Sequence, residues 1–201
     1  MQLPGIIIGG GIAGLTAAIA LRQRGIAVEV CEAAPQILPV GAGIWLAPNA
    51  MQVFDRLGLA ARINAGGVPL HAIEIVDGQM RPLLRTDQAR IRRRFGHGTT
   101  AIRRATLQHI LLHHLGPDTV QLGRYCTGLT ESLGGVLVSF ADGSVQRASF
   151  VVGADGIRSL VREHLFPDVR PSGTGHLVWR WAAHRGRGAR ARASEYRRPL
   201  P

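Results

Sequence analysis

"IIIGGGIAGL", residues 6–15, decides how this chain begins to fold. Three apolar β-formers run into Gly9-Gly10-Gly11-Ile12-Ala13-Gly14, which satisfies the pattern G-x-G-x-x-G. Glycine-rich turns are common, so the motif takes its meaning from its flanks. Upstream, Gly5 to Ile8 reads as a short buried strand. Downstream, Ile12, Leu15, Thr16, Ile19 and Ala20 recur at the spacing of one helical face. Gly25 follows the polar turn Arg22-Gln23-Arg24 and reads as the helix stop. "IAVEVCE" (26–32) is then a second strand that ends in Glu32, 18 residues beyond Gly14. Strand, glycine turn, helix, strand and acid make up a dinucleotide-binding β-α-β unit.

Each glycine has its own duty in such a unit. Gly9 permits the tight turn, Gly11 lets backbone approach a pyrophosphate, and Gly14 lets helix and strand pack closely. The helix that opens at Ile12 and Ala13 offers free N–H groups and a partial positive charge to phosphates. Glu32 would accept hydrogen bonds from an adenosine ribose, and its charge disfavours an extra 2′-phosphate in this crevice. NAD and FAD share this grip, so the fingerprint leaves the choice between them open.

The rest of the chain alternates helix and strand patterns. A loop covers "AAPQILPVGAGIWLAPNA" (33–50), and a helix is expected from about Asn49 to Ile63, carrying Met51, Val53, Phe54, Leu57 and Leu59. "HAIEIVD" (71–77) reads as a strand and "MRPLLR" (80–85) as another, whereas 90–104 is basic without strong periodicity. A helix follows near Thr106 to Leu115, and "VQLGRYCTGL" (120–129) reads as a strand. "GVLVSF", "ADGS" and "VQRASFVVGAD" form a hairpin about an Asp-Gly turn. Its apolar end, Phe150-Val151-Val152, is expected to enter the central sheet. A helix runs from Ser159, which suits an N-cap, to Leu165, and "GHLVWRW" (175–181) reads as one more strand.

Composition narrows the class. The chain has 201 residues, 46% of them hydrophobic, enough for a sizeable core. No apolar run reaches the length of a membrane span, and the N-terminus reads as a strand rather than a signal peptide. The two cysteines, Cys31 and Cys126, are too few for a disulfide framework, which suits a reducing cytoplasm. All 24 basic residues are arginine, a bias that points to GC-rich coding DNA. Of the net charge of +11, residues 182–201 supply +5 and the first 181 residues +6.

"VGAGIWLAPNAMQVFDRLGL" (40–59), "AIRRATLQHIL" (101–111) and "VVGADGIRSLVRE" (151–163) together resemble the class A flavin-dependent monooxygenases, the group that includes salicylate hydroxylase-like enzymes. The resemblance runs from about Leu3 to Trp181, with three separate motifs in order. It implies an α/β fold: a Rossmann-like FAD-binding domain with a GR2-type doubly wound sheet over residues 1–181. Strands at about 68–100 and 174–181 would begin a smaller β-rich substrate domain.

The resemblance also assigns roles. Gly9, Gly11, Ile12, Ala13, Gly14 and Glu32 would hold the adenosine and pyrophosphate of FAD, and Arg104 would reach the cofactor from a helix start. Asp155, in the Asp-Gly motif, would serve FAD and the nicotinamide cofactor. Gly43 and Ile44 would run beside the flavin, with Trp45 either on the substrate side or in the core. The activity implied is an NAD(P)H-dependent monooxygenase that hydroxylates a small, electron-rich, usually aromatic substrate. In this scheme the flavin carries the chemistry, and no side chain of this chain is assigned as catalytic. Where the family often has a polar or charged pair before "GAG", this chain has Leu38-Pro39-Val40.

Other constellations are weaker. His109 and His113 stand four apart on a helix without a third ligand, so no metal site is expected. Arg90, Arg92, Arg93 and Arg94 fit a solvated face or an attractor of anionic ligands. The family's later Gly-Asp flavin motif has no counterpart, since Asp-Gly occurs at 77, 142 and 155 but Gly-Asp nowhere. Nothing after Trp181 resembles the family, and residues 182–201 have the arginine, alanine, glycine and proline content of GC-rich DNA read out of frame. The expectation is therefore an N-terminal part of a monooxygenase. The alternatives are an inactive truncated product without flavin, and a protein whose basic tail binds nucleic acid.

Overall fold

The computed structural model describes residues 3–38 and 42–175. All but the first residue of the strand expected over 175–181, the basic tail and most of the Leu38-Pro39-Val40 departure lie outside those residues. The chain opens with β1 (Gly5–Ile8), α1 (Ile12–Arg22) and β2 (Val28–Cys31), the unit read from the glycine motif. The helix ends two residues before the Arg22-Gln23-Arg24 turn is complete, and Gly25 lies beyond it at φ +76°.

β1 pairs in parallel with β2, Ile7 opposite Val30. Its alternation explains the unbroken apolar run. Ile7 packs with Leu15, Ile19 and Val30 on one face, while Ile6 and Ile8 pack with Val138, Phe140 and Val161 on the other. A strand buried on both faces needs apolar residues at every position.

The middle of the chain departs from expectation in three places. The loop over 33–50 contains β3 (Gly43–Leu46). The single helix expected from Asn49 to Ile63 is two, α2 (Pro48–Arg56) and α3 (Ala60–Gly66). They break at Leu57-Gly58-Leu59, where Gly58 takes φ +73°, while Leu57 and Leu59 remain buried. Apolar spacing therefore continues across a break in the backbone helix, and Val53, assigned to its face, is exposed. β4 (Val68–Pro69), β5 (Ala72–Val76) and β6 (Pro82–Asp87) follow, β5 and β6 forming their own antiparallel pair.

The third departure is α4 (Gln88–Phe95), which overlaps the start of the 90–104 stretch without strong periodicity. Caps make it helical: Asp87 accepts the N–H groups of Ala89 and Arg90, and Gly96 closes it at φ +79°. Arg92, Arg93 and Arg94 fall in its last turn, where positive charge suits the helix dipole. β7 (Thr100–Arg103) pairs with β3 and β4 and leads into α5 (Arg104–Leu115), which packs Leu107 and Leu111 with the core residues of α1.

The stretch read as one strand over 120–129 splits into β8 (Val120–Gln121), beside β2, and β9 (Cys126–Ser132). β9, β10 (Gly135–Phe140) and β11 (Val145–Ala148) form an antiparallel meander, with the Asp-Gly turn where the sequence places it. The hairpin strand breaks after Ala148, and β12 (Val151–Gly153) enters the central sheet parallel to β1. The parallel sheet runs β12-β1-β2-β8. α1 and α5 cover one face; the meander and α6 (Leu160–Leu165) cover the other. No helix among the described residues is long and apolar enough to cross a membrane.

Candidate functional site

The carboxyl ends of β1, β2 and β12 open into a cleft of about 460 Å³. Gly9, Gly11, Glu32, Arg124, Ala154 and Asp155 are among its lining residues. Crevices outside strand ends, where connections leave to opposite sides, are the usual ligand sites of open α/β sheets.

The glycine loop forms its centre. Gly9 takes φ +110°, and a Cβ there would land on the carbonyl oxygen of Ala154. A Cβ on Gly14 would land on the carbonyl oxygen of Gly9, so loop and helix close only without a side chain. Gly11 is different: nothing lies within 4 Å of where its Cβ would be. Gly11 caps α1 in an extended conformation with no side-chain hydrogen bond. The first-turn N–H groups at Ile12 and Ala13 therefore meet no side-chain cap, the arrangement that receives anions at a helix start.

One wall is Glu32, directly after β2. Its Oε2 accepts the Gly10 N–H at 2.6 Å and its Oε1 accepts the Ala34 N–H at 2.9 Å. The carboxylate is thus fixed in position, and each oxygen retains lone-pair capacity for a ligand hydroxyl. From α5, Gln108 Nε2 donates to the Gly10 carbonyl at 3.0 Å and steadies the loop from behind.

Asp155 belongs to the opposite wall and also anchors α6. Its Oδ2 accepts the Leu160 N–H at 2.7 Å, and its Oδ1 accepts the Ser159 hydroxyl at 2.6 Å. Ser159 caps the helix by accepting the Arg162 N–H at 2.9 Å. The carboxylate of Asp155 thus fixes the Ala154-Asp155-Gly156 backbone, and Asp155 also lines the cleft.

The sequence reading missed the third side, Arg124-Tyr125-Cys126. The Arg124 N–H donates to the Glu32 carbonyl at 2.8 Å, tying this segment to the acidic wall. Its guanidinium carbon lies 3.7 Å from the centre of the Phe140 ring. Nη1 donates to Asp142 at 2.8 Å and to Ser144 at 2.7 Å. The Ser144 hydroxyl and N–H, and then Arg124, hold the Asp142 carboxyl below its ordinary range. Burial pushes the Cys31 thiol up to about 11 against the opposing charge of Arg124, and burial raises Cys126 as well. Both cysteines are buried and unbridged. Arg124 lies 16 to 20 residues from Phe140, Asp142 and Ser144, beyond any local pattern; the Asp-Gly turn was the one visible signal near its partners.

Gly43, Ile44 and Arg104 gather separately. Gly43 pairs with Arg103 and Ile44 with Ile102, and the Arg104 N–H donates to the Ala42 carbonyl at 3.3 Å. Two motifs some sixty residues apart in sequence thus meet at the start of α5, one turn from Gln108 and the glycine loop. They do not line the 460 Å³ cleft. Trp45 is 64% exposed, which removes it from the core. The rings of His109 and His113 stand 6.4 Å apart, and no cluster of three metal-ligating side chains exists among the described residues.

The chain is similar to known proteins. Residues 2–183 match a family described as "FAD binding domain". The 3-amino-4-hydroxybenzoate 2-monooxygenase of Streptomyces platensis is 43% identical over 178 residues, covering 87% of this chain and 44% of that protein. The 3-hydroxybenzoate 6-hydroxylase of Polaromonas naphthalenivorans is 35% identical over 185 residues, covering 89% and 46%. Among solved structures, Klebsiella pneumoniae HpxO complexed with FAD and uric acid superposes with a TM-score of 0.73 at 34% identity, covering 81% of this chain and 41% of that one. The chain spans less than half the length of the curated relatives it matches.

Proposed function

The chain belongs to the FAD-binding family of aromatic-ring monooxygenases, and on that premise we propose that its cleft holds the adenosine diphosphate half of FAD in an NAD(P)H-dependent hydroxylase. The observation that carries the reading is the empty space at Gly11, set beside an uncapped helix start and a carboxylate already held in place.

In this reading the pyrophosphate lies over Gly11, where the N–H groups of Ile12 and Ala13 receive its charge. The free lone pairs of Glu32 accept the ribose hydroxyls. Gly43, Ile44 and Arg104 stand toward the flavin, and the exposed Trp45 faces the substrate side. When bound, the flavin supplies the redox and oxygen-transfer chemistry, with NAD(P)H as the electron source. The substrate class is a small electron-rich aromatic. We assign β5 and β6 to the start of a substrate domain and place the protein in the cytoplasm, where its two unbridged thiols fit.

The reading is tested by titrating the purified chain with ADP, FAD and riboflavin, following heat release and the flavin absorbance band. ADP and FAD should bind, and riboflavin, which lacks the adenosine diphosphate half, should not. Glu32→Gln should weaken ADP by about tenfold, the scale of a charge-assisted hydrogen bond. A chain that ignores ADP at millimolar concentration would sink the proposal.

A further inference from the structure

Along the cleft, Gly11, Glu32 and Arg124 stand in the order phosphate, ribose and base, if the proposed cofactor reading holds. Glu32 is linked to the glycine loop through the Gly10 N–H and to Arg124 through its own carbonyl oxygen. Arg124 lines the same cleft as Glu32.

That guanidinium is held on most sides. One face rests on Phe140, Nη1 is committed to Asp142 and Ser144, and Nε is buried without a hydrogen-bond partner. The side chain is 19% exposed and lines the cleft. Phe140, Asp142 and Ser144 leave the second face of the plane and Nη2 for a ligand. We propose that Arg124 is a specificity-determining residue of the cofactor site, a flat platform on which the purine ring stacks, backed by Phe140.

Two alternatives weaken on chemical grounds. As a phosphate ligand, Arg124 would compete with Asp142, whose carboxylate already neutralises it at 2.8 Å. As a purely structural cation it would need no face on the cleft. Stacking uses the plane rather than the net charge, and a guanidinium fixed in advance loses little freedom when the base arrives.

The experiment compares wild type, Arg124→Met, Arg124→Lys and Asp142→Asn by calorimetric titration with ADP and with ribose 5-phosphate, alongside thermal unfolding. Met and Lys keep the stem but lose the plane, so both should weaken ADP by about tenfold, as removal of a stacking partner does. Ribose 5-phosphate, which has no base, should bind all four proteins alike. Asp142→Asn loosens the plane without removing it and should weaken ADP about threefold. Wild-type affinity for ADP in Arg124→Lys would overturn the proposal, because charge alone would then suffice. Equal losses for ADP and ribose 5-phosphate in Arg124→Met would overturn it too, revealing a distorted fold. If Arg124→Met does not fold, an unchanged ADP affinity in Asp142→Asn is decisive against it. Failure of wild type to bind ADP would instead remove the cofactor reading on which this inference rests.

Discussion

β1 and β6 are both short strands with consecutive apolar residues, yet they live in opposite surroundings. All four residues of β1 are buried, between partners on both edges and packed layers on both faces. Among the described residues β6 pairs only with β5, and Leu83 and Leu84 are exposed at 67% and 54%. The same local preference for extended backbone thus has very different energetic weight. In β1 it coincides with burial that stabilises by about 1.5–3 kcal/mol per side chain. In β6 the apolar surface stays in contact with solvent.

The contrast can be broken most directly at Ile7, which is fully buried. Ile7→Ala should lower unfolding free energy by about 4 kcal/mol, measured by urea titration. At Gly14, a methyl group meets the Gly9 carbonyl, and Gly14→Ala should cost about 3 kcal/mol in the same assay. Gly11→Ala, with open space around it, should leave stability within about 0.5 kcal/mol of wild type. Its effect should fall on ADP affinity instead, so equal stability losses at the two glycines would erase the distinction between packing and ligand approach.

A smaller effect should follow pH. Burial raises the Cys31 thiol in the folded chain to about 11 from its ordinary value of 9.0. Across that window the unfolded chain loses the proton while the folded chain keeps it. The folded state therefore holds more protons, and stability should decline as pH rises from about 9 to 11. Urea midpoints should show this alkaline decline in wild type and a shallower one in Cys31→Ala. The smallest effect belongs to β6: Leu83→Ser should change stability by no more than about 0.5 kcal/mol. A loss comparable with that at Ile7 would mean that the β5–β6 pair is integral to the core.

The same contrast explains what could be read from the chain. β1, α1 and β2 are contiguous, so apolar spacing, glycines and terminal acid all report on one compact unit. β3 was read as loop because its partner β7 lies over fifty residues away, and a four-residue strand carries little periodicity alone. The break between α2 and α3 escaped because Leu57 and Leu59 continue to face the core across Gly58. α4 lacked an apolar stripe, yet Asp87 and Gly96 marked both its ends. In the site, the glycine loop and Glu32 stood out through the dinucleotide-binding pattern, and Asp155 through the family resemblance. Arg124 did not, since its setting is assembled from β10 and the turn after it.

The pairing of β1 with β2 and β12 also acts as a ruler. Glu32 follows the last residue of β2, and Asp155 comes two residues after β12 ends. Since both strands flank β1, the backbones bearing the two walls start about 9–10 Å apart, twice the spacing of neighbouring strands. That width is a repeat distance of the hydrogen-bonded sheet, which side-chain substitutions leave nearly untouched. Mutation can deepen, recharge or resurface this cleft, but to widen it the chain would have to insert a strand.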